Sequence, residues 1–184
     1  MALTQQEDAE LLVQFRNPET RDRAYTTIIK KYQQRLYWHI RRMVVDHDDT
    51  NDILQNVFIR VWKALDNFKE ESQLYTWLYR IATNESLTFI EGQKKRSAVS
   101  LSDVESGLSN KIKADKHFDP SKIEWKLQLA IQALPEKQKA VFTLRYYDEM
   151  PYEEMSRVLE TSEGALKASY HHAVKKVEDY MLNH

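Results

Sequence analysis

Cysteine is absent from this chain of 184 residues, glycine occurs 3 times and proline 4 times. Without cysteine there is no disulfide scaffold, thiolate zinc site, iron–sulfur cluster or cysteine nucleophile, and a reducing cytoplasm is the expected home. Scarce glycine and proline leave too few turn residues for a many-stranded fold and too few glycines for phosphate-cradling loops. No apolar run approaches the roughly 20 residues that span a bilayer, so no membrane insertion is expected. The opening MALTQQEDAELL is acidic and lacks the apolar centre of an export signal. A strong charge of one sign is missing as well: 27 Lys+Arg face 28 Asp+Glu, for a net charge of −1. That balance argues against a general nucleic-acid coat. Neither residues 1–96 nor 123–184 are strongly basic, so any nucleic-acid site has to be a local patch.

Catalytic patterns are missing too. There is no Glu-x-x-His pair, no HExxH and no Walker loop. His171 and His172 are adjacent and point to different parts of a helix surface, which makes a poor metal pair. Glu153 and Glu154 sit at a helix start, where dipole complementarity explains them. The expectation is a protein that is not an enzyme and uses no cofactor and no metal.

What is present is helical periodicity. Ala24, Tyr25, Ile28, Ile29, Tyr32, Leu36, Ile40 and Met43 recur at three- and four-residue spacing, and Ile53, Leu54, Val57, Phe58, Val61, Trp62 and Leu65 form a second stripe. Leu74, Leu78, Ile81 and Ala82 begin a third, and an opening helix near 5–16 completes a four-helix unit ending in Lys94-Lys95-Arg96. From Ser97 the large apolar residues thin out and periodicity stops, the signature of a flexible linker. Order returns with Ile123, Leu127, Ala130, Ile131 and Leu134, a helix stopped by Pro135, and a second helix through Val141, Leu144 and Tyr147. In PYEEMSRVLE, Pro151 suits a first helical position and Met155, Val158 and Leu159 face inward. Ser162 is a good N-cap for a last helix carrying Leu166, Tyr170, Ala173 and Val177. The expected fold is all-α: two small helical domains, 1–96 and 122–184, joined by a linker at 97–121. Each has four helices, and the second contains a helix-turn-helix. Separate small domains have little core of their own, so mobility between them is expected in the free protein.

Taken alone, each motif has a plain reading. A helix-turn-helix occurs in many small bundles. Lys167, His171, His172, Lys175 and Lys176 could be a solvated face, although Glu163, Lys167 and His171 at i, i+4, i+8 share the one stripe a major-groove helix needs. Asp49, Asp52, Gln55 and Asn56 lie opposite the Ile53/Val57/Phe58 stripe; on composition alone they read as a solvated face, with Asp49 as N-cap. Lys94-Lys95-Arg96 reads equally as a phosphate-contacting cluster or a cationic helix end. The stretch YTWLYRIATN sets Tyr75, Trp77 and Tyr79 at alternate positions of a helix, so the rings cannot all join one apolar stripe. On a helical wheel Tyr75 and Trp77 flank the buried stripe and Tyr79 lies further out.

DDTNDILQNVFIRVWKALDNFKEES followed by YTWLYRIATN and KKR resembles conserved region 2 of the extracytoplasmic-function (ECF) group of bacterial sigma factors. AIQALPEKQKAVFTLRYYDEMPYEEMSRVL followed by SEGALKASYHHAVKKVEDYM resembles their region 4. The resemblance implies a sigma factor that binds core RNA polymerase and directs promoter-specific initiation, with promoter DNA and an anti-sigma factor as further partners. It implies that Asp49, Asp52, Gln55 and Asn56 dock on the basic clamp helices of polymerase, with Asn56 standing where the family usually has Glu. The minus-ten element would be melted and held by Asn67, Lys69, Glu70, Ser72, Tyr75, Trp77, Tyr79, Arg80, Lys94, Lys95 and Arg96. Aromatic rings stack on unpaired bases. Housekeeping sigma factors have a Trp pair where this chain has Trp77-Leu78, so weaker melting and stricter promoter choice are implied. The minus-thirty-five element would be gripped by Glu163, Lys167, Ala168, His171, His172 and Lys175. Region 4 departs from the family at Glu160, which replaces a turn glycine, and at Ser169 and His172, which replace frequent arginines. Two other readings remain: a stand-alone helix-turn-helix regulator binding duplex DNA as a dimer, and a sigma mimic that binds polymerase without reading a promoter.

Overall fold

The computed structural model describes residues 2–96 and 122–183; the linker expected at 97–121 lies outside the described residues. Within them the chain is built of α-helices with no strand. The first unit holds α1 (Ala2–Arg16), α2 (Arg21–Val44), α3 (His47–Ala64) and α4 (Leu74–Arg96), with a 3₁₀ turn at Leu65–Asn67 before α4. The second holds α5 (Lys122–Gln132), α6 (Glu136–Phe142), α7 (Tyr152–Leu159) and α8 (Glu163–Asn183). Between α6 and α7 the chain passes through a π-helical turn at Thr143–Tyr147, where sequence periodicity predicted continuous α-helix.

The stripes become the core as expected. Ala24, Ile28, Tyr32, Leu36, Ile40 and Met43 run down the buried side of α2, meeting Ile53, Val57 and Val61 of α3 and Leu74, Leu78 and Ala82 of α4. At the entry to the unit, Phe15 and Tyr25 set ring edges on Trp62, with centroids 5.4 and 4.9 Å away. The Tyr25 hydroxyl donates to the Phe58 carbonyl, tying α2 to α3, and burial pushes its phenol up to about 12. α3 is capped by Asp46, whose carboxylate accepts from the Asp48 and Asp49 amides at 3.0 and 3.1 Å. The N-cap is therefore not Asp49, which sits in the first turn. Pro151 likewise stands one position earlier than expected, as the cap preceding α7.

The two units meet among the described residues. Val141, Leu144, Met150, Met155, Val158 and Leu166 of the second unit belong to the same apolar cluster as the core of the first. A smaller cluster of Ala130, Ile131, Leu134, Phe142, Ala173 and Val177 holds α5, α6 and α8 together. In this structure each unit leaves an apolar face of its own uncovered, and the two faces close on one another with α7 packed on α4.

Lys139 is 6% exposed, and its ammonium donates to Gln132 Oε1 at 2.6 Å. Burial, with Lys94 nearby, pushes its pKa down to about 8. Between about pH 8 and about pH 10.4 the unfolded chain keeps a proton that the folded chain has lost, so stability rises with pH across that window. Buried tyrosines act in the opposite direction above about pH 10. Chemical denaturation is expected to show a Lys139-dependent gain on the order of 1–2 kcal/mol between about pH 8 and about pH 9.5. Lys139→Met should lack that gain; an identical pH slope in both proteins would contradict it.

Candidate functional site

The outward face of α3 is the first candidate surface. Asp52, Gln55 and Asn56 are exposed on a helix held rigidly by its buried stripe, while Asp49 is half-buried and accepts a bond from Gln93 of α4 at 3.3 Å. Short polar groups on a fixed backbone lose little entropy when they pair with a cationic partner. Asn56 is followed three residues later by Ile59, which is 45% exposed. That side chain was missed in the sequence reading, although the signal was there: Ile59 is the one large apolar residue of α3 that falls off the stripe.

The second surface is the loop 68–73 with the start of α4. Arg16 braces the loop, donating to Glu70 Oε1 at 2.8 Å, and Glu70 adopts a left-handed backbone with φ 59°. Phe68 is buried beneath the loop with its ring 5.0 Å from that of Trp77. Trp77 is half-buried and forms a wall of a cavity of about 460 Å³, with Asn67, Lys69 and Ser72 on the loop side. Tyr75 is also half-buried, its ring edge towards Tyr79 at 6.1 Å. Burial pushes the Tyr75 phenol above its usual range.

Tyr79 corrects the helical-wheel reading. It was placed furthest from the core and is instead 5% exposed, the most buried of the three rings. Its hydroxyl donates to Asp148 at 3.3 Å, and its ring stands 5.0 Å from that of His39. Desolvation, then the Asp148 carboxylate, pushes its phenol far above the usual value. The wheel is right about direction; the second unit covers that side of α4. Arg80 pairs with Glu160, and Lys94 pairs with Glu136 at 2.6 Å. Lys95 is exposed, and the Arg96 side chain lies outside the described residues. So this arrangement brings Asn67, Lys69, Ser72, Trp77 and Arg80 to one cavity, whose other side is formed by Ser156, Arg157 and Glu160 of the second unit, while Tyr79, Arg80 and Lys94 also bond to the second unit.

The third surface is α7, its turn and α8. Glu160 takes the left-handed conformation, φ 50° and ψ 42°, where an L side chain is disfavoured and glycine is not. Ser162 caps α8 as expected: its hydroxyl accepts from the Ala165 amide at 3.4 Å, and its carbonyl from the Leu166 amide at 3.0 Å. With Leu166, Ala173 and Val177 buried, the opposite face presents Glu163, Lys167, Ala168, His171, His172 and Lys175, all exposed. Glu163 pairs with Lys167 at 3.4 Å, so the cation is partly neutralised. Among the described residues no group of three or more His, Asp or Glu side chains could hold a metal ion, and no helix is long and apolar enough to cross a membrane.

Comparison with known proteins matches two stretches of the chain in order. The family model for sigma-70 region 2 matches residues 28–96, and that for sigma-70 region 4 matches residues 124–177. The RNA polymerase sigma-H factor of Pseudomonas aeruginosa is 29% identical over 184 residues, covering 96% of this chain and 94% of that one. The ECF RNA polymerase sigma-E factor of Escherichia coli K12 is 27% identical over 165 residues, covering 85% and 86%. The solved structure of CnrH in complex with the cytosolic domain of CnrY superposes with a TM-score of 0.66 at 19% identity, covering 94% of this chain and 96% of that chain. The sigma factor RpoE of Bartonella quintana, in complex with the anti-sigma factor NepR, gives 0.65 at 17% identity, covering 86% and 97%. These two likenesses show the fold.

Proposed function

We infer the division of labour along the chain from the premise that it belongs to the sigma-70 family, in the extracytoplasmic-function group. It is a sigma factor: it binds core RNA polymerase and directs transcription initiation. Residues 1–96 form the region 2 domain and dock on polymerase through Asp49, Asp52, Gln55 and Asn56, with Ile59 adding an apolar contact at the edge of that face. The same domain captures the melted minus-ten strand at the loop 68–73 and at Trp77, with Tyr75, Tyr79, Arg80, Lys94, Lys95 and Arg96 alongside. Residues 122–184 form the region 4 domain and hold the minus-thirty-five element through Glu163, Lys167, Ala168, His171, His172 and Lys175. The chain works in the cytoplasm as an initiation factor rather than an enzyme. An anti-sigma factor is a further partner we assign to it, by analogy with the solved NepR complex.

The observation that carries this reading is the cavity beside Trp77. On the region 2 side it is walled by a half-buried ring and polar loop side chains that stand on the same domain as the α3 docking face, and Ser156, Arg157 and Glu160 of the second unit line its other side. Stacking on such a ring is sequence-tolerant, and polar neighbours supply the selectivity. The stand-alone regulator is not favoured, because it leaves the region 2 match without a role.

Replacing Lys167 and His171 together with alanine tests the region 4 assignment. Run-off transcription from a promoter the protein uses is expected to fall at least about tenfold, since each lost major-groove contact costs about 1–3 kcal/mol. Affinity for core polymerase should not change. Undiminished transcription would remove Lys167 and His171 from recognition of the upstream element.

A further inference from the structure

Resting on the strand-capture reading above, we propose that the corner between α1 and α2 sets the shape of the capture loop, with Arg16 and Arg21 as positioning residues for base selectivity at the minus-ten element. The corner lies outside the residues matched by the region 2 family model, which begin at 28. The fold brings it to the loop. Arg16, the last residue of α1, directs one guanidinium nitrogen, Nη2, at two acceptors: the Phe68 carbonyl at 3.4 Å and Glu70 Oε1 at 2.8 Å. Arg21, the first residue of α2, grips Asp66 with both terminal nitrogens, Nη1 to Oδ1 at 3.1 Å and Nη2 to Oδ2. Two arginines on either side of one short turn therefore hold the chain at positions 66, 68 and 70, on the way into the loop.

The loop needs such a hold. Glu70 keeps a left-handed backbone, φ 59°, which an L side chain retains only where its surroundings impose it. The loop's own support is slight: Ser72 Oγ donates to the neighbouring Gln73 carbonyl at 3.4 Å. The braces, in contrast, are firmly seated. The Arg21 guanidinium carbon lies 4.2 Å from the centre of the Phe15 ring and 5.0 Å from that of Trp62, two rings packed edge to face. Phe15 is fully buried, so Arg16 beside it starts from an anchored backbone. A guanidinium seated on rings and paired through two nitrogens is a stiffer brace than an ordinary surface ion pair.

Asn67 and Lys69, which line the cavity beside Trp77, stand between the held positions. Moving the corner therefore moves the polar groups that would meet an unpaired base. Stacking on Trp77 tolerates any base, whereas a hydrogen bond distinguishes bases only when donor and acceptor are correctly placed. The corner thus governs discrimination between bases more than the strength of capture.

The test uses the full chain assembled with core polymerase on a promoter from which the parent gives run-off transcripts. The promoter is made as a fork junction with its minus-ten strand unpaired, and each unpaired base is replaced in turn by the other three. Arg16→Ala and Arg21→Ala are expected to reduce the preference between best and worst base about three- to tenfold, with affinity for core unchanged. Lysine separates positioning from charge. One nitrogen serves both acceptors of Arg16, so Arg16→Lys should recover most of the preference; Arg21 uses two, so Arg21→Lys should not. Arg23→Ala, at an exposed position in the first turn of α2, controls for lost positive charge and should match the parent. Undiminished preference in both alanine variants, or an equal loss in Arg23→Ala, would overturn the proposal. A uniform loss of binding to every base, with the preference intact, would reduce the corner to a structural support and overturn it too. A parent without preference at any unpaired base would instead sink the strand-capture reading itself, and the proposal with it.

Discussion

Asp52→Arg is expected to weaken binding to core RNA polymerase by about 100-fold or more, because reversing a charge at a close ionic contact replaces attraction by repulsion and costs several kcal/mol. The position suits the test. Asp52 is exposed near the start of α3, four residues before Asn56, and the helix beneath it is secured by Ile53, Val57 and Val61. Its replacement leaves that stripe intact, so the variant should melt within about 0.5 kcal/mol of the parent. The cost is therefore readable as lost docking rather than lost fold. The contact lies on the face turned away from the buried stripe, so docking on polymerase does not compete with the core for α3. A variant that binds core as tightly as the parent would remove α3 from the interface.

Trp77→Ala is expected to slow promoter opening by about 10- to 100-fold, in line with the roughly 1–3 kcal/mol that one ring–base stack contributes. Trp77 is the ring best placed for that work. It stands half-buried on Phe68, with one side available to the cavity, whereas Tyr79 is sealed against Asp148 in the closed chain. Permanganate reactivity of unpaired thymines in the assembled holoenzyme reads opening directly. The loss should appear there and not in affinity for core. Trp77→Phe should recover part of it, because a smaller ring still stacks. A variant that opens promoters at the parent's rate would move strand capture elsewhere on region 2.

The fold was legible wherever a stripe of apolar residues at helical spacing marks one face. The helices around Ile28 to Met43 and Ile53 to Val61 appear where the pattern puts them, and Ser162 caps α8 because its hydroxyl can reach back to the first-turn amides. What periodicity does not carry is the identity of the partner covering a face. Tyr79 looked exposed because the residues that bury it, Asp148 above all, lie far away in sequence. The same limit hid the closure of the two units and the burial of Lys139, a charged residue that no local pattern marks as interior. The α3 cap was missed for a different reason. Asp46, Asp48 and Asp49 are all plausible caps by residue type, and the choice falls to Asp46 because Val45 breaks α2 with φ 71° just before it. The residues proposed for docking were legible as a polar face, and became a candidate site only through the resemblance; composition alone left them as a solvated surface.

The most direct test of the central claim is reconstituted transcription from core RNA polymerase, this protein and fragmented genomic DNA. Discrete run-off products that require both the protein and core, and that disappear with Asp52→Arg, are the predicted result. Failure to bind core, alongside unaided binding of the protein to duplex DNA, would contradict it.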